Sequence, residues 1–257
     1  MLTDLLDLVL PTGCGGCGSP GSPWCERCAG GVGPARVVAG LAGAPPTVAA
    51  GVYDGPLRHA LLAYKERGQR ALAGPLAGVL AGVVLASGVV GTRCWLVPAP
   101  SRPSAARARG GDHVLALVDA LAERLAHPAL SVGVSPALRM RAGGRDSVGL
   151  DATARAANLH GRLSTRMEQL PPLGAGVLLV DDVVTTGATL RACATALGSA
   201  GVSVTGAVVL CDATGAPPKK SLVSGPTNGM KPTTLPGCSR SGEPLRRAVR
   251  PAGGSTR

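Results

Sequence analysis

The stretch VLLVDDVVTTGATL, Val177 to Leu190, decides the fold of this chain. Val177 to Val180 is a short apolar run with the residue types of a buried strand. It meets two adjacent carboxylates, Asp181 and Asp182, then small hydroxylated residues around Gly187, and then a helical pattern over Thr189–Ala200. A second apolar run, Val202 to Leu210, reads as another strand. Strand, turn, helix and strand in that order make a parallel βαβ unit, which needs helices on both sheet faces. The fold class is therefore α/β. In such a sheet, ligands bind beyond the carboxyl ends of the strands, where the two acids stand.

The turn after the acids has a chemistry of its own. A helix N-terminus offers unpaired N–H groups and the positive end of the helix dipole, a setting that favours phosphate. Gly187 lets the backbone curl close to an anion, Thr185, Thr186 and Thr189 add hydroxyls, and Ala188 adds a backbone amide without charge. Asp181 and Asp182 are poor neighbours for phosphate but good acceptors for the two hydroxyls of a ribose. Acids and turn together describe a ribose 5-phosphate site. The plainer reading, a helix cap followed by a threonine turn, accounts for one aspartate and not for two directly after a buried strand.

Composition bounds what surrounds this unit. The chain has 257 residues, 45% of them hydrophobic and none of them Phe, so its core is built from Ala, Val and Leu. The net charge of +11 invites a nucleic-acid reading until the charge is located. From Ala213 to Arg257 there are eight basic residues against Glu243 alone, so this tail holds +7 of the total. The tail is rich in Pro, Gly, Ser and Thr without apolar periodicity and is expected to be disordered. MLTDLLDLVLP at the start lacks a basic n-region and reads as amphipathic helical turns. The stretch Ala71–Val90 comes nearest to a membrane span, but its many Gly and Ala residues mark it as a buried helix. A cytoplasmic protein with no membrane span is expected, in which paired cysteines bind metal more often than they form disulfides.

Cys14, Cys17, Cys25 and Cys28 form two Cys-x-x-Cys pairs in a Gly-rich segment. Each pair can present two thiolates to one tetrahedral zinc, and four thiolates leave no open position, so the site is assigned a structural role. Cys94, Cys193 and Cys211 lie in apolar segments and read as packing residues. Elsewhere the pattern predicts a strand at Thr47–Tyr53, a helix beginning near Pro56, a strand at Cys94–Val97, a helix over His113–Ala126 and a short helix over LDATARAANLHG. Three regions follow: a helix and four-cysteine module at 1–44, an α/β domain at 45–212 and the basic tail at 213–257.

VLLVDDVVTTGAT resembles the signature of type I phosphoribosyltransferases, which bind phosphoribosyl pyrophosphate with magnesium. The resemblance implies that Asp181 and Asp182 hold the ribose hydroxyls and that Thr185 to Thr189 wrap the 5-phosphate. It also implies a pyrophosphate contact in VPAPSR, at Pro98, Ala99 and Arg102, with Arg109 and Lys65 as further candidates. The four cysteines ahead of such a domain resemble the ComF family of competence-associated proteins. YDGPLRHALLAYKERG, VPAPSRPSAARARGGDH and RDSVGLDATARAANL, with Arg155 and Asn158, are similar to segments of that family. The chain departs from it where Gly111, Asp112 and His113 replace an aromatic, Asn and Gln, and where Ser147 replaces a glutamine. The resemblance implies an α/β, type I phosphoribosyltransferase-like parallel sheet with an N-terminal zinc module. It leaves two functions open: transfer of a phosphoribosyl group to a nitrogen nucleophile, and non-catalytic handling of single-stranded DNA with DNA-uptake proteins. His113, at a helix start, reads as a solvated cap.

Overall fold

The computed structural model describes residues 13–88, 91–141 and 162–215. The strands are β1 (Arg36–Val37), β2 (Thr47–Val52), β3 (Arg93–Pro98), β4 (Ser131–Val134), β5 (Leu138–Met140), β6 (Leu163–Thr165), β7 (Gly176–Val184) and β8 (Gly206–Asp212). The helices are α1 (Glu26–Gly30), α2 (Gly55–Glu66), α3 (Ala73–Ser87), α4 (Pro103–Ala108), α5 (His113–Leu125) and α6 (Ala188–Ser199). Six strands form one sheet in the order β1-β2-β8-β7-β3-β4, and β5 pairs with β6 in a separate antiparallel ribbon. All neighbours in the large sheet run parallel except β1 and β2.

The strand interiors are apolar because both faces of the sheet are covered, and the pleat sends successive residues to opposite sides. Leu96, Leu178, Val180, Val208 and Leu210 join one core with α2, α3 and α5. Val97, Val177, Leu179 and Val209 join the other, with Leu190, Cys193 and Leu197 of α6 and Leu138 of β5. Arg70–Ser87 is long and apolar enough to cross a membrane by composition. Here it is a short 3-10 turn leading into α3, which packs against α5 and buries Leu76, Leu80 and Val84. The helix stops at Gly88, whose φ of 63° supplies the left-handed cap that a side chain would resist.

Several boundaries differ from the sequence reading. The strand expected at Val177–Val180 continues through both acids to Val184, because β8 pairs with it as far as Val184↔Asp212. The second strand starts at Gly206 and not Val202, since its bonding to β7 begins only at Thr205, whose N–H reaches Val177 O. The Gly-rich four-cysteine module contains α1 and the two-residue β1, the latter held to the sheet by Arg36–Asp212 at 3.4 Å. Both are too short to leave a period in the sequence. The expected N-terminal helical turns, the short helix over LDATARAANLHG and the tail beyond residue 215 lie outside the described residues.

Candidate functional site

After β3 the chain crosses to β4 on one side, while β7 lies on the other, so the strand order reverses between β3 and β7. A crevice opens at the carboxyl ends of two such strands. Pro98 to Arg102 leave β3 at that point, and Ala99 N–H donates to Val180 O at 2.8 Å, which ties the loop to the strand carrying the acids. The topology thus brings VPAPSR and DDVVTTGAT to one place from positions far apart in sequence.

The two acids have different surroundings. Asp182 is buried and turned toward α2 and α5. Its Oδ2 accepts from Lys65 Nζ at 2.6 Å and pairs with His113 Nε2 at 2.7 Å. Burial alone would raise this carboxyl; the His113 hydrogen bond and the Lys65 charge outweigh it and hold the group at about 2. Asp181, half-buried, accepts the N–H of Asp182 on Oδ1 at 2.8 Å. Burial and the neighbouring Asp182 charge push its carboxyl up to about 8. The pair therefore holds one firmly ionised acid and one that resists ionisation.

His113 is not the solvated cap that the sequence suggested. It is 9% exposed, and the capping is done by Asp112, whose Oδ1 accepts from Val114 N and Leu115 N at 3.0 and 3.4 Å. Asp112 also binds Ser101 of the loop after β3 through Ser101 N–H at 3.2 Å and its hydroxyl at 2.9 Å. The departures at Asp112 and His113 thus stand as a cap and as a partner of Asp182. Sequence reasoning missed the His113 contact because its partner lies on β7; a lone His beside a capping Asp gave the only local signal. Tyr64 completes the group, its hydroxyl donating to His113 O at 2.7 Å.

The turn after β7 has the expected form. Gly187 is the N-cap of α6 at φ 71°, Thr185 and Thr186 are exposed, and Ala188 and Thr189 are half-buried at the first helical turn. Gly187 itself is buried for a further reason: a Cβ there would meet Leu41 Cβ and Cδ2 at 3.2 Å and Ala44 Cβ at 3.4 Å. Arg191 of α6 holds the same segment through Nη1 to Ala42 O at 2.7 Å. Of the pyrophosphate candidates, Pro98 and Ala99 are buried, Arg102 is exposed, and Lys65 is committed to Asp182. Arg109 closes α4 and carries a buried Nε without a hydrogen-bond partner among the described residues.

The sulfurs of Cys14, Cys17, Cys25 and Cys28 lie within 4.8 Å of one another. Zinc–sulfur bonds of about 2.3 Å in a tetrahedron need sulfurs about 3.8 Å apart, so the set fits a zinc ion. The Cys17 thiol is held down at about 5 by hydrogen bonds with Ser19 and then by Arg27, which readies a thiolate. The module packs on the domain: Gln69 Nε2 donates to Gly13 O at 2.8 Å, and His59 Nδ1 lies 3.2 Å from Gly16 O. Cys94, Cys193 and Cys211 are buried in the core, as their apolar neighbours implied.

A phosphoribosyl transferase domain model matches residues 147–227, which include both acids and the turn. Among solved structures, a hypoxanthine phosphoribosyltransferase from Staphylococcus aureus aligns at 19% identity and a TM-score of 0.32, over 56% of this chain and 64% of that one. The asparagine mutant from an analysis of an invariant aspartic acid in HPRTs aligns at 19% identity and a TM-score of 0.31, over 58% and 67%. The chain thus spans less than two thirds of the Staphylococcus aureus protein's length. The comparison with curated proteins finds no match. The domain match and the helix-flanked, mostly parallel sheet give the chain a phosphoribosyltransferase-type fold.

Proposed function

We propose that this chain binds phosphoribosyl pyrophosphate, or a related ribose phosphate, and transfers the phosphoribosyl group to a nitrogen nucleophile. The observation that carries this reading is the pair Asp181–Asp182 at the reversal of strand order, followed at once by a glycine-capped helix N-terminus. In this reading the acids accept hydrogen bonds from the ribose hydroxyls, and Thr185 to Thr189 hold the 5-phosphate with backbone N–H and hydroxyl groups. Pro98 to Arg102 and Arg109 stand on the pyrophosphate side, where guanidinium groups favour departure of an anion. Magnesium would take its oxygens mainly from the diphosphate and water and would stabilise the leaving group's charge. The four-thiolate module ahead of the domain supports the ComF-like arrangement, with zinc as its structural ion.

Calorimetry on the double variant Asp181→Asn, Asp182→Asn tests the reading. Loss of the charge-assisted hydrogen bond of ionised Asp182, worth about 1.5–3 kcal/mol, together with the weaker one of Asp181, should weaken phosphoribosyl pyrophosphate at least tenfold. Affinity for inorganic phosphate should hardly change, because the acids face the sugar. Equal binding of the full ligand by parent and variant would reduce the two acids to structural groups.

A further inference from the structure

We propose that His113 is a positioning residue for the ribose site, fixing the Asp182 carboxylate so that its remaining oxygen can meet a sugar hydroxyl. The inference deepens the reading above and rests on it. Its basis is how the ring is enclosed. Nε2 lies 2.7 Å from Asp182 Oδ2, and Nδ1 lies 3.4 Å from Ser101 Oγ. That serine hydroxyl donates its proton to Asp112 Oδ1 at 2.9 Å, so it turns a lone pair toward the ring. Each ring nitrogen therefore faces an oxygen, which fixes the ring at both ends.

The ring is held from several directions. Asp112 pins the start of α5 to the loop after β3, and Tyr64 of α2 donates to His113 O with its ring edge-on at 6.1 Å. Among the described residues, ionisable groups near the imidazole include Asp182 and, behind it, Asp181 on β7, Lys65 and Tyr64 on α2, and Asp112 at the head of its own helix. Burial pushes the Tyr64 phenol up to about 12, so it acts there as a neutral donor. Lys65 and His113 both reach Oδ2 of Asp182. In the reading above, Oδ1 of this acid then remains for a sugar hydroxyl.

Calorimetry with phosphoribosyl pyrophosphate on the parent, His113→Gln and His113→Leu tests this. Gln keeps an N–H donor for Asp182 and Leu does not. His113→Gln should bind within about threefold of the parent, and His113→Leu about tenfold more weakly than His113→Gln, because Asp182 loses its donor. Inorganic phosphate should bind all three alike. Equal binding of phosphoribosyl pyrophosphate by His113→Leu and His113→Gln refutes this inference alone. A parent that does not bind phosphoribosyl pyrophosphate removes the underlying reading and this one with it.

Discussion

Gly187→Ala is the most informative single change at the turn proposed to hold the 5-phosphate. The residue sits at φ 71°, where an L side chain costs about 1–2 kcal/mol through its Cβ and carbonyl contacts. A second cost is steric: the new Cβ falls 3.2 Å from both Cβ and Cδ2 of Leu41, inside the optimum carbon separation of about 3.5–4.0 Å. Relief requires the 41–44 segment to give, but Arg191 holds that segment at Ala42. Crowding of this kind costs about 1–3 kcal/mol. The sum, about 2–5 kcal/mol, corresponds to a fall in Tm on the order of 5–15 °C for a domain of this size. The two causes separate in a double-mutant cycle with Leu41→Gly, which removes both contacting carbons. The double variant should recover the steric share and keep the backbone share, giving a coupling of about 1–2 kcal/mol by urea denaturation. Additivity within about 0.5 kcal/mol would refute the Leu41 contact as a cause. Inorganic phosphate binding, lost or weakened in Gly187→Ala, should return in part in the double variant.

Cys14→Ser should remove zinc from a protein that otherwise carries about one ion per chain, as read by metal analysis. It should also lower Tm by several degrees, because the module is docked on α2 through Gly16 at His59 and on the turn after it through Gly13 at Gln69. Parent protein prepared without chelator and found free of zinc would end this reading. Asp181→Asn should stabilise the fold at neutral pH by on the order of 1–2 kcal/mol. The raised Asp181 carboxyl makes the native state bind the extra proton, so parent stability falls as pH rises from about 4 toward about 8. Asp182 has the opposite sign: its depressed value gives stability that is complete above about 4 and lost as pH falls toward about 2. Denaturation of parent and Asp181→Asn across this range should therefore converge near pH 4; curves that stay parallel would remove the linkage.

The fold was legible where one residue type repeats for one reason. Val177 to Val180 and Val208 to Leu210 are apolar throughout because both faces of their strands are covered, and their short, β-branched runs suit a strand better than a helix. The turn at Gly187 was legible because a left-handed cap and a helix start both leave marks in single residues. The four cysteines were legible from spacing alone. The contacts that define the state of Asp182 were not. Lys65 and His113 come from α2 and α5, and what joins them to β7 is the order of strands, which no local period encodes. Leu41 over Gly187 was hidden for the same reason, and β1, β4, β5 and β6 are too short to show alternation.

The boundary drawn near residue 44 also takes on a different meaning once β2 is seen beside β8. Thr47 is paired with Ala207 and Val52 with Asp212, so the first long strand of the sheet finds its parallel neighbour only at the end of the domain. Until then its partner is β1, two residues long. During synthesis β2 must wait, one edge open, while α2 through α6 emerge. Pairing across such a separation has a high entropic cost before it is rewarded, and it slows folding. The exposed edge is also the place where an incomplete chain would pair with another copy. The same wait applies to the segment around Leu41, whose seat at Gly187 forms only when β7 is laid down. The turn at Gly187 and the N-terminal segment are therefore finished together, late, and each is incomplete without the other.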